Sequence, residues 1–487
     1  MFYKIRNDIL FRQYEGHGYI ADNSEFGYRL LDDVSLRPGE EYVSESGSVM
    51  LAVLSKSPRD IEDVIDDLMQ VFVGVDRDVL REDASEFFQM LTDRGFLSVG
   101  DTLDTCVDQQ LPSSPTGVTG RGAIVPVEDC GRDTIGPDDF LRSIHFDIAS
   151  ACNERCVHCY MPQEYKTGTI NSDLFYQILE EARRLNIIHV TLSGGEPLLH
   201  RDFIDFLVRC RKLDLSVNVL SNLTLLTDDI VAEMRKNPLL SVQASLYSMD
   251  ATVHDSITRQ HGSFEKTRAG ILKVLSAGIP VQISCPVMKQ NKDTFLDVVV
   301  WGREHGIAVA IEPVIFASLD HLGGNLESRI SLEDLEGVLD KELSEGYAYV
   351  LSDAAKEKEP LTGSDPICSI CRYSLCVSVN GEVFPCAGWQ TNVLGNLNQQ
   401  TLQDVWAGSE KIRQLRGIRR SKFPKCVDCA DRGYCTVCMM CNSNENPDGD
   451  PYAISDFRCK VAATTHRKVS EFLASDLSRD RAQLIGN

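Results

Sequence analysis

The sequence predicts an α/β protein built on a partial (β/α)6 TIM-like barrel, preceded by a winged-helix (α+β) domain and followed by a cysteine-rich domain. Three observations predict it. From about residue 143 to 315, short apolar runs alternate with segments of helical spacing. The first 100 residues read as a small sheet followed by three helices. Ten of the 17 cysteines lie from Cys368 to Cys459, in a stretch with little periodicity.

In the N-terminal segment, 1–100, "ILFRQYEGHGYIADN" reads as two short strands about a Gly-containing turn, and "FGYRLL" as a third. "SVMLAVL" opens a helical pattern. In "SPRDIEDVIDDLMQVF", Ser57 is the expected N-cap with Pro58 at the first helical position. Phe87, Phe88 and Leu91 stand at helical spacing, with Gly95 as the stop. Residues 101–142, rich in Pro, Gly, Ser and Asp, read as a linker, and Cys106 and Cys130 within it have no ligand-like spacing.

The barrel strands of 143–315 are the runs "IHFDIA", "HVTLS", "SVNVLS", "LLSVQASLY", "PVQISCPV" and "VAIEPVI". In such a barrel the chemistry sits at the C-terminal ends of the strands. A bridging region, 316–364, leads to the cysteine-rich domain at 365–460, where metal could stand in for a core. Residues 461–487 read as a surface helix and tail.

A chain of 487 residues exceeds one hydrophobic core, and its 43% hydrophobic content excludes disorder. The net charge of −23 argues against nucleic acid or an anionic membrane as the main partner. A peptide with basic or apolar anchors suits it better. The N-terminus lacks an apolar core with a cleavage site, and nowhere do about 20 apolar residues run together. A cytoplasmic protein is expected, and there clustered cysteines mean metal rather than disulfides.

"CNERCVHC" sets Cys152, Cys156 and Cys159 within eight residues and offers no fourth. A closed zinc site or an ordinary iron–sulfur cluster takes four protein ligands. Three thiolates on a four-iron cluster leave one iron open to a substrate or cofactor. Spacing alone leaves zinc or coincidence open. The second strand, however, ends in Gly194, Gly195, Glu196 and Pro197, a turn whose backbone can approach a ligand closely at the same rim.

Together, "CNERCVHCY" and "SGGEP" resemble the radical S-adenosylmethionine (radical SAM) superfamily, over about 143–315. The resemblance implies that Cys152, Cys156 and Cys159 hold a 4Fe–4S cluster whose open iron is chelated by S-adenosylmethionine, with Tyr160 near the adenine. Gly194, Gly195, Glu196 and Pro197 would meet the methionine amino group, chiefly through Glu196. Ser221 and Asn222 end the third strand of that site, and Ser245 and Arg259 would contact the ribose or the methionine carboxylate. Capped strand ends and a surface arginine are the plain alternative for Ser245 and Arg259.

The second cysteine field, "CRYSLCVSVNGEVFPC" and "CVDCADRGYCTVCMMC" with Cys459 beyond, resembles the SPASM extension of these enzymes. The resemblance implies two auxiliary 4Fe–4S clusters, three in all; paired zinc ribbons are the alternative. Cys426, Cys429, Cys435 and Cys459 are expected to form one cluster, and Cys371 and Cys386 to anchor the other. Cys368 and Cys376 compete to join Cys371, and Cys438 and Cys441 to loop back, since Met439 occupies the usual place. Sulfatase-maturing relatives use an acidic base directly after the Cys386 position; here Ala387 stands there.

The first segment resembles the PqqD-like recognition element of ribosomal-peptide maturases, so the expected partner is a precursor peptide bound through its leader. Edge-strand addition is the physical mode, and a structural or dimerisation domain is the alternative. The implied activity is thioether formation between a cysteine sulfur and a carbon of the precursor, with flavodoxin or ferredoxin as external electron donor. Carbon–carbon crosslinking uses the same electron count. Epimerisation needs a hydrogen donor, for which Cys210 or Cys285 can be named. A non-catalytic electron-transfer or scaffold protein is the reading from another class. Glu304, His305 and Glu312 are the nameable acid–base groups, with no general base assigned.

Overall fold

The computed structural model describes residues 1–22, 29–30, 40–108, 124–125, 141–166, 168–347 and 362–485. Cys130 and most of the expected linker lie outside them. The N-terminal segment contains two three-stranded sheets where the sequence suggested one. In the first, β1 (Phe2–Ile5) pairs antiparallel with β6 (Arg59–Asp60) and β7 (Leu97–Gly100). In the second, β2 (Ile9–Tyr14) and β3 (His17–Asp22) turn at Gly16, and β5 (Glu40–Ser44) adds on the far side of β3. The short β4 (Arg29–Leu30) pairs with β8 (Ile124–Val125), so part of the linker is structured.

Helices α1 (Glu45–Ala52), α2 (Ile61–Val71) and α3 (Arg77–Asp93) close a core around Ile65, Leu68, Phe88 and Leu91. The expected cap at Ser57 and Pro58 is not used. Pairing with β1 draws Arg59 and Asp60 into β6, so α2 starts at Ile61, with Asp60 Oδ1 accepting from the Glu62 amide at 2.9 Å. Gly95 does end α3, at φ +79°.

The six expected barrel strands form as β9 (Ser143–Ala149), β10 (His189–Gly194), β11 (Ser216–Ser221), β12 (Leu240–Ser245), β13 (Val281–Pro286) and β14 (Ala308–Glu312). All are parallel neighbours in chain order. Among the described residues β9 and β14 do not pair, so the sheet is open. Beyond β9, the cysteine-rich domain extends the same sheet with β15 (Ser374–Val377), parallel to β9, then β16 (Glu382–Phe384) and β17 (Gly395–Asn396).

Alternation along each strand sets the two faces. Ile144, Phe146 and Ile148 join the core with the surrounding helices, Phe146 meeting Phe175 of α4 (Ser172–Arg184) at 5.0 Å. The opposite face carries His145, Asp147, Thr191, Asn218, Gln243 and Gln282, with Thr191 in register with both His145 and Asn218. Parallel strands are normally apolar on both faces. A polar inner face therefore marks the interior as a site rather than a second core.

The N-terminal segment packs against the opposite end, where the strands begin. Leu10, Tyr19 and Ala21 bury against Ile188 and Leu239. Arg12 bonds Asp214, and Arg142 donates to the Tyr19 hydroxyl at 2.9 Å. That end is covered; the chemistry is left to the C-terminal rim. The last helix, Asp456–Ile485, begins before residue 461 and contains Cys459. Among the described residues no helix is long and apolar enough to cross a membrane.

Candidate active site

The loop after β9 is fixed from several sides. The Gly195 amide donates to Ala149 O at 2.6 Å and the Glu196 amide to Ala151 O at 2.9 Å. The Arg155 and Val157 amides donate to Thr258 O and Ile257 O of helix Ala251–Thr258, and the Leu319 amide to Tyr160 O. The paired glycines are demanded by this contact. A Cβ on Gly194, at φ +127°, would stand 2.0 Å from Ala149 O, and one on Gly195 would stand 2.4 Å from Ser150 O.

This packing gathers Cys152, Cys156 and Cys159, all partly buried. Cys152 Sγ accepts from the Glu154 amide at 3.4 Å, Cys156 Sγ lies 3.6 Å from Glu154 Oε2, and Cys159 Sγ lies 3.5 Å from Met161 O. Burial pushes the Cys152 thiol up to about 11 and raises the Cys156 thiol well above its ordinary value. Burial likewise raises Glu154 to about 7, and its Oε1 has no partner. A bound cation would invert this balance and hold the thiols as thiolates. Sequence reading passed over Glu154, which shows itself only once the loop is folded.

Glu196 is fully buried at the same rim. Its Oε1 accepts from Ser221 Oγ at 2.7 Å and from the Leu198 amide at 3.0 Å; its Oε2 accepts from the Asn222 amide at 2.8 Å. Burial raises it to about 7 against the pull of those bonds. Ser221 and Asn222 therefore hold Glu196, with two of these bonds on Oε1 and one on Oε2. Asn222 also donates to Asn153, which donates to Thr224. That chain ties the cysteine loop to the end of β11.

Two further groups, neither named from sequence, face the loop. Tyr247 Oη lies 4.0 Å from Cys156 Sγ and 3.5 Å from His158 Nε2, and it is bonded by Ser245. Burial lowers His158 to about 4, so it is neutral at pH 7. Arg259 is exposed, in a left-handed conformation at φ +54°, immediately after Thr258. Buried Tyr160 has Asp147, Cys376, Cys159 and Cys386 as electrostatic neighbours, so it borders both cysteine fields.

The second field divides into groups. Cys386 has Cys438, Cys368 and Cys371 as neighbours. Cys435 has Cys459, Cys426 and Cys429. Cys376 lies on the inner face beside His145 and Asp147, with Cys386 also an electrostatic neighbour. Cys441 is buried and accepts from Arg458 Nη1 at 3.2 Å. The bond with Cys441 and the first amides of helix Met439–Glu445 lower the Cys438 thiol to about 6.

Among the described residues, His145, Asp147 and Cys376 are the only three potential metal-ligating atoms within 4.8 Å of one another. No three of the predicted ligand cysteines converge so tightly. A single tetrahedral zinc, with Zn–S bonds of about 2.3 Å, needs sulfurs about 3.8 Å apart.

Other named groups fall outside the site. Cys210 and Cys285 lie in the apolar core on the helix side of the sheet, so neither faces the interior as a hydrogen donor. His305 packs its ring at a tilt against Trp301, with centroids 4.4 Å apart, at the end of its helix. Glu312 Oε1 accepts from the Val314 amide at 3.0 Å.

The Radical SAM superfamily profile matches residues 147–301, an iron–sulfur cluster-binding domain (SPASM) profile matches 368–442, and a coenzyme PQQ synthesis protein D (PqqD) profile matches 36–97. The AdoMet-dependent heme synthase of Methanosarcina barkeri is 28% identical over 64% of this chain and 96% of its own length. The PqqA peptide cyclase of Methylocella silvestris is 24% identical over 68% of this chain and 92% of its own. Among solved structures, Streptococcus suis SuiB bound to precursor peptide SuiA aligns over 94% of this chain and 99% of its own, with TM-score 0.61 and 16% identity. Native anSMEcpe with bound AdoMet aligns over 71% of this chain and 100% of its own, with TM-score 0.55 and 16% identity. At that identity the structural likeness speaks for the fold. The chain is a radical SAM enzyme with a PqqD domain before its core and a SPASM iron–sulfur domain after it.

Proposed function

We propose that this enzyme modifies a ribosomally made precursor peptide by joining a cysteine sulfur to a carbon of an acceptor residue. The observation that carries the reading is that Tyr160, next to Cys159 in the chain, is also an electrostatic neighbour of Cys386 in the second cysteine field. A substrate on the polar inner face would lie between a radical source and an electron acceptor. When bound, S-adenosylmethionine and its cluster supply a 5'-deoxyadenosyl radical that removes a hydrogen atom, and an auxiliary cluster takes the electron released as carbon bonds to sulfur.

The residues suit those groups. Cys152, Cys156 and Cys159 hold the first cluster; Cys368, Cys371, Cys386 and Cys438 the second; Cys426, Cys429, Cys435 and Cys459 the third. Glu196, steadied by Ser221 and Asn222, receives the methionine ammonium. Tyr160 and the Gly194–Gly195 turn border the adenine and the methionine, and Ser245, through Tyr247, steadies the loop at Cys156. Arg259 is in reach of the carboxylate or ribose.

The leader docks on the N-terminal domain, residues 1–100, which supplies a winged-helix-like recognition element. β2 is the unsuitable edge, because Arg12 and Asn186 cap Phe11 O and Gln13 O. The outer edge of β5 has no strand partner among the described residues and can accept an added strand. Residues 101–142 link this domain to the half-open barrel of 143–315, the bridge of 316–364 leads to the cluster domain of 365–460, and the chain ends in the helix and tail of 461–487. The enzyme acts in the cytoplasm with flavodoxin or ferredoxin as donor.

Epimerisation is the second reading, favoured by one observation: the Cys376 thiol is buried on the inner face, where a hydrogen donor would stand. Co-production with a small cysteine-containing peptide encoded beside the gene, followed by thiol alkylation and intact mass, separates the readings. Loss of two hydrogens with a matching loss of alkylatable thiol supports the thioether. The same mass loss with every thiol free means a carbon–carbon crosslink. Unchanged mass with deuterium taken up from heavy water means epimerisation.

A further inference from the structure

We propose that Asp147 is the proton acceptor for the substrate thiol, held in place by Gln390 and emptied through His145. The proposal rests on the thioether reading above. Asp147 lies on the inner face of β9, five residues before Cys152, on the strand that delivers the cysteine loop. It is only 2% exposed, yet among the described residues its ion-pair partner is neither lysine nor arginine. Buried carboxylates normally have such a cation, and those without one concentrate at functional sites. Its two oxygens meet His145 Nε2 at 3.2 Å and Gln390 Nε2 at 2.5 Å.

Gln390 fixes where the carboxylate stands. The same Nε2 reaches Ala387 O at 3.1 Å, so Asp147 is held beside the residue that follows Cys386. Asp147 and Cys386 are both electrostatic neighbours of Tyr160. A first-strand carboxylate thus borders both cysteine fields, near where a substrate thiol has to lie if it is to meet both a carbon radical and an electron acceptor. The other candidate carboxylates are committed: Glu196 accepts three bonds, Glu312 caps the turn after its own strand, and Glu154 sits within the cysteine loop.

In the step, the S–H bond of the substrate cysteine breaks, its electron pair stays on sulfur, and the proton moves to an Asp147 oxygen. Protonated Asp147 then donates to Nε2 of a neutral His145 whose hydrogen is on Nδ1; Nε2 takes that proton, and the imidazolium formed, its side chain 23% exposed, returns one proton to water. The carboxylate is then restored for the next turnover. Cys376, beside both groups, completes a polar pocket floor and takes no proton.

The test compares wild type, Asp147→Asn and Asp147→Glu, measuring thioether formed per 5'-deoxyadenosine released, by alkylation and intact mass. Removal of a positioned base lowers such a ratio by about 10² to 10⁴. Asp147→Asn is expected to lower it at least 100-fold and Asp147→Glu to recover it to within about tenfold. A wild-type ratio in Asp147→Asn, or Glu as poor as Asn, overturns the proposal. Should Asp147→Asn not fold, His145→Phe keeps the carboxylate and closes its outlet; an unchanged ratio there overturns the proposal equally. Thioether in the wild type with an unimpaired Asn variant removes the role of Asp147 alone. Wild-type product with every thiol free removes the thioether reading, and the proposal falls with it.

Discussion

Replacing Gly195 with alanine adds one methyl group at the most crowded point of the rim. That carbon would stand 2.4 Å from Ser150 O and 2.5 Å from Ala151 O, both backbone atoms that no side-chain rotation can clear. The cysteine loop has to retreat. An added methylene in a packed site costs about 1–3 kcal/mol. Retreat also weakens the bonds of the Gly195 and Glu196 amides to Ala149 O and Ala151 O, each worth about 1 kcal/mol.

The sum, about 3–5 kcal/mol, lowers the population of the closed loop by a factor of about 150 to 5,000. Hydrogen exchange of the cluster-free protein reads this directly, as protection lost in residues 150–160 by the same factor, with bound iron and deoxyadenosine falling in parallel. Gly337→Ala is the control: it lies in helix Leu332–Glu342 with nothing within 4 Å of the new carbon, and is expected to stabilise by about 1 kcal/mol. Gly195→Ala with wild-type exchange and full iron would refute the argument.

Three further outcomes are expected. Glu196 is raised to about 7 in the fold, above its ordinary 4.5, so ionisation opposes folding. Cofactor-free protein should therefore lose about 3 kcal/mol through this group as pH rises from about 4.5 through 7, seen in urea midpoints, whereas Glu196→Gln should show a slope smaller by that amount, the parts from Glu154 and Glu342 remaining. Cys438→Ser should lower reconstituted iron from about 12 to about 8 atoms per chain, while Cys441→Ser keeps all three clusters; equal iron in both would reverse the assignment. Arg12→Ala removes a guanidinium that is 2% exposed from a half-open pair with Asp214. Because Asp214 is partly solvated, the cost is about 2 kcal/mol rather than the 3–5 kcal/mol of a fully buried pair, measurable as faster proteolytic release of the N-terminal domain.

Much of the barrel was legible because periodicity is local: all six strands fell within a few residues of the runs that announced them. The start of α2 was not. Ser57 and Pro58 form a good local cap signal, but pairing of Arg59 and Asp60 with β1 is a long-range event that moved the start. β15 was hidden for a similar reason, its residues reading as cysteine-rich loop until β9 supplied a partner. Cys368 and Cys376 were equivalent by spacing and became distinct once alternation turned Cys376 toward His145.

The site divided along the same line. Cysteine spacing and the paired glycines are contiguous and could be read. The placement of Glu154 and Asp147, and the contact of Tyr247 with Cys156, depends on loops brought together from distant parts of the chain.

The most direct test of the central claim follows deuterium. Precursor peptide produced with deuterium on its carbon-bound positions is incubated anaerobically with the enzyme, S-adenosylmethionine and a reductant, and the 5'-deoxyadenosine is weighed. Radical modification of the peptide predicts one deuterium in the deoxyadenosine for each crosslink formed, and no deoxyadenosine from Cys156→Ala. Deoxyadenosine free of deuterium beside a modified peptide would contradict it.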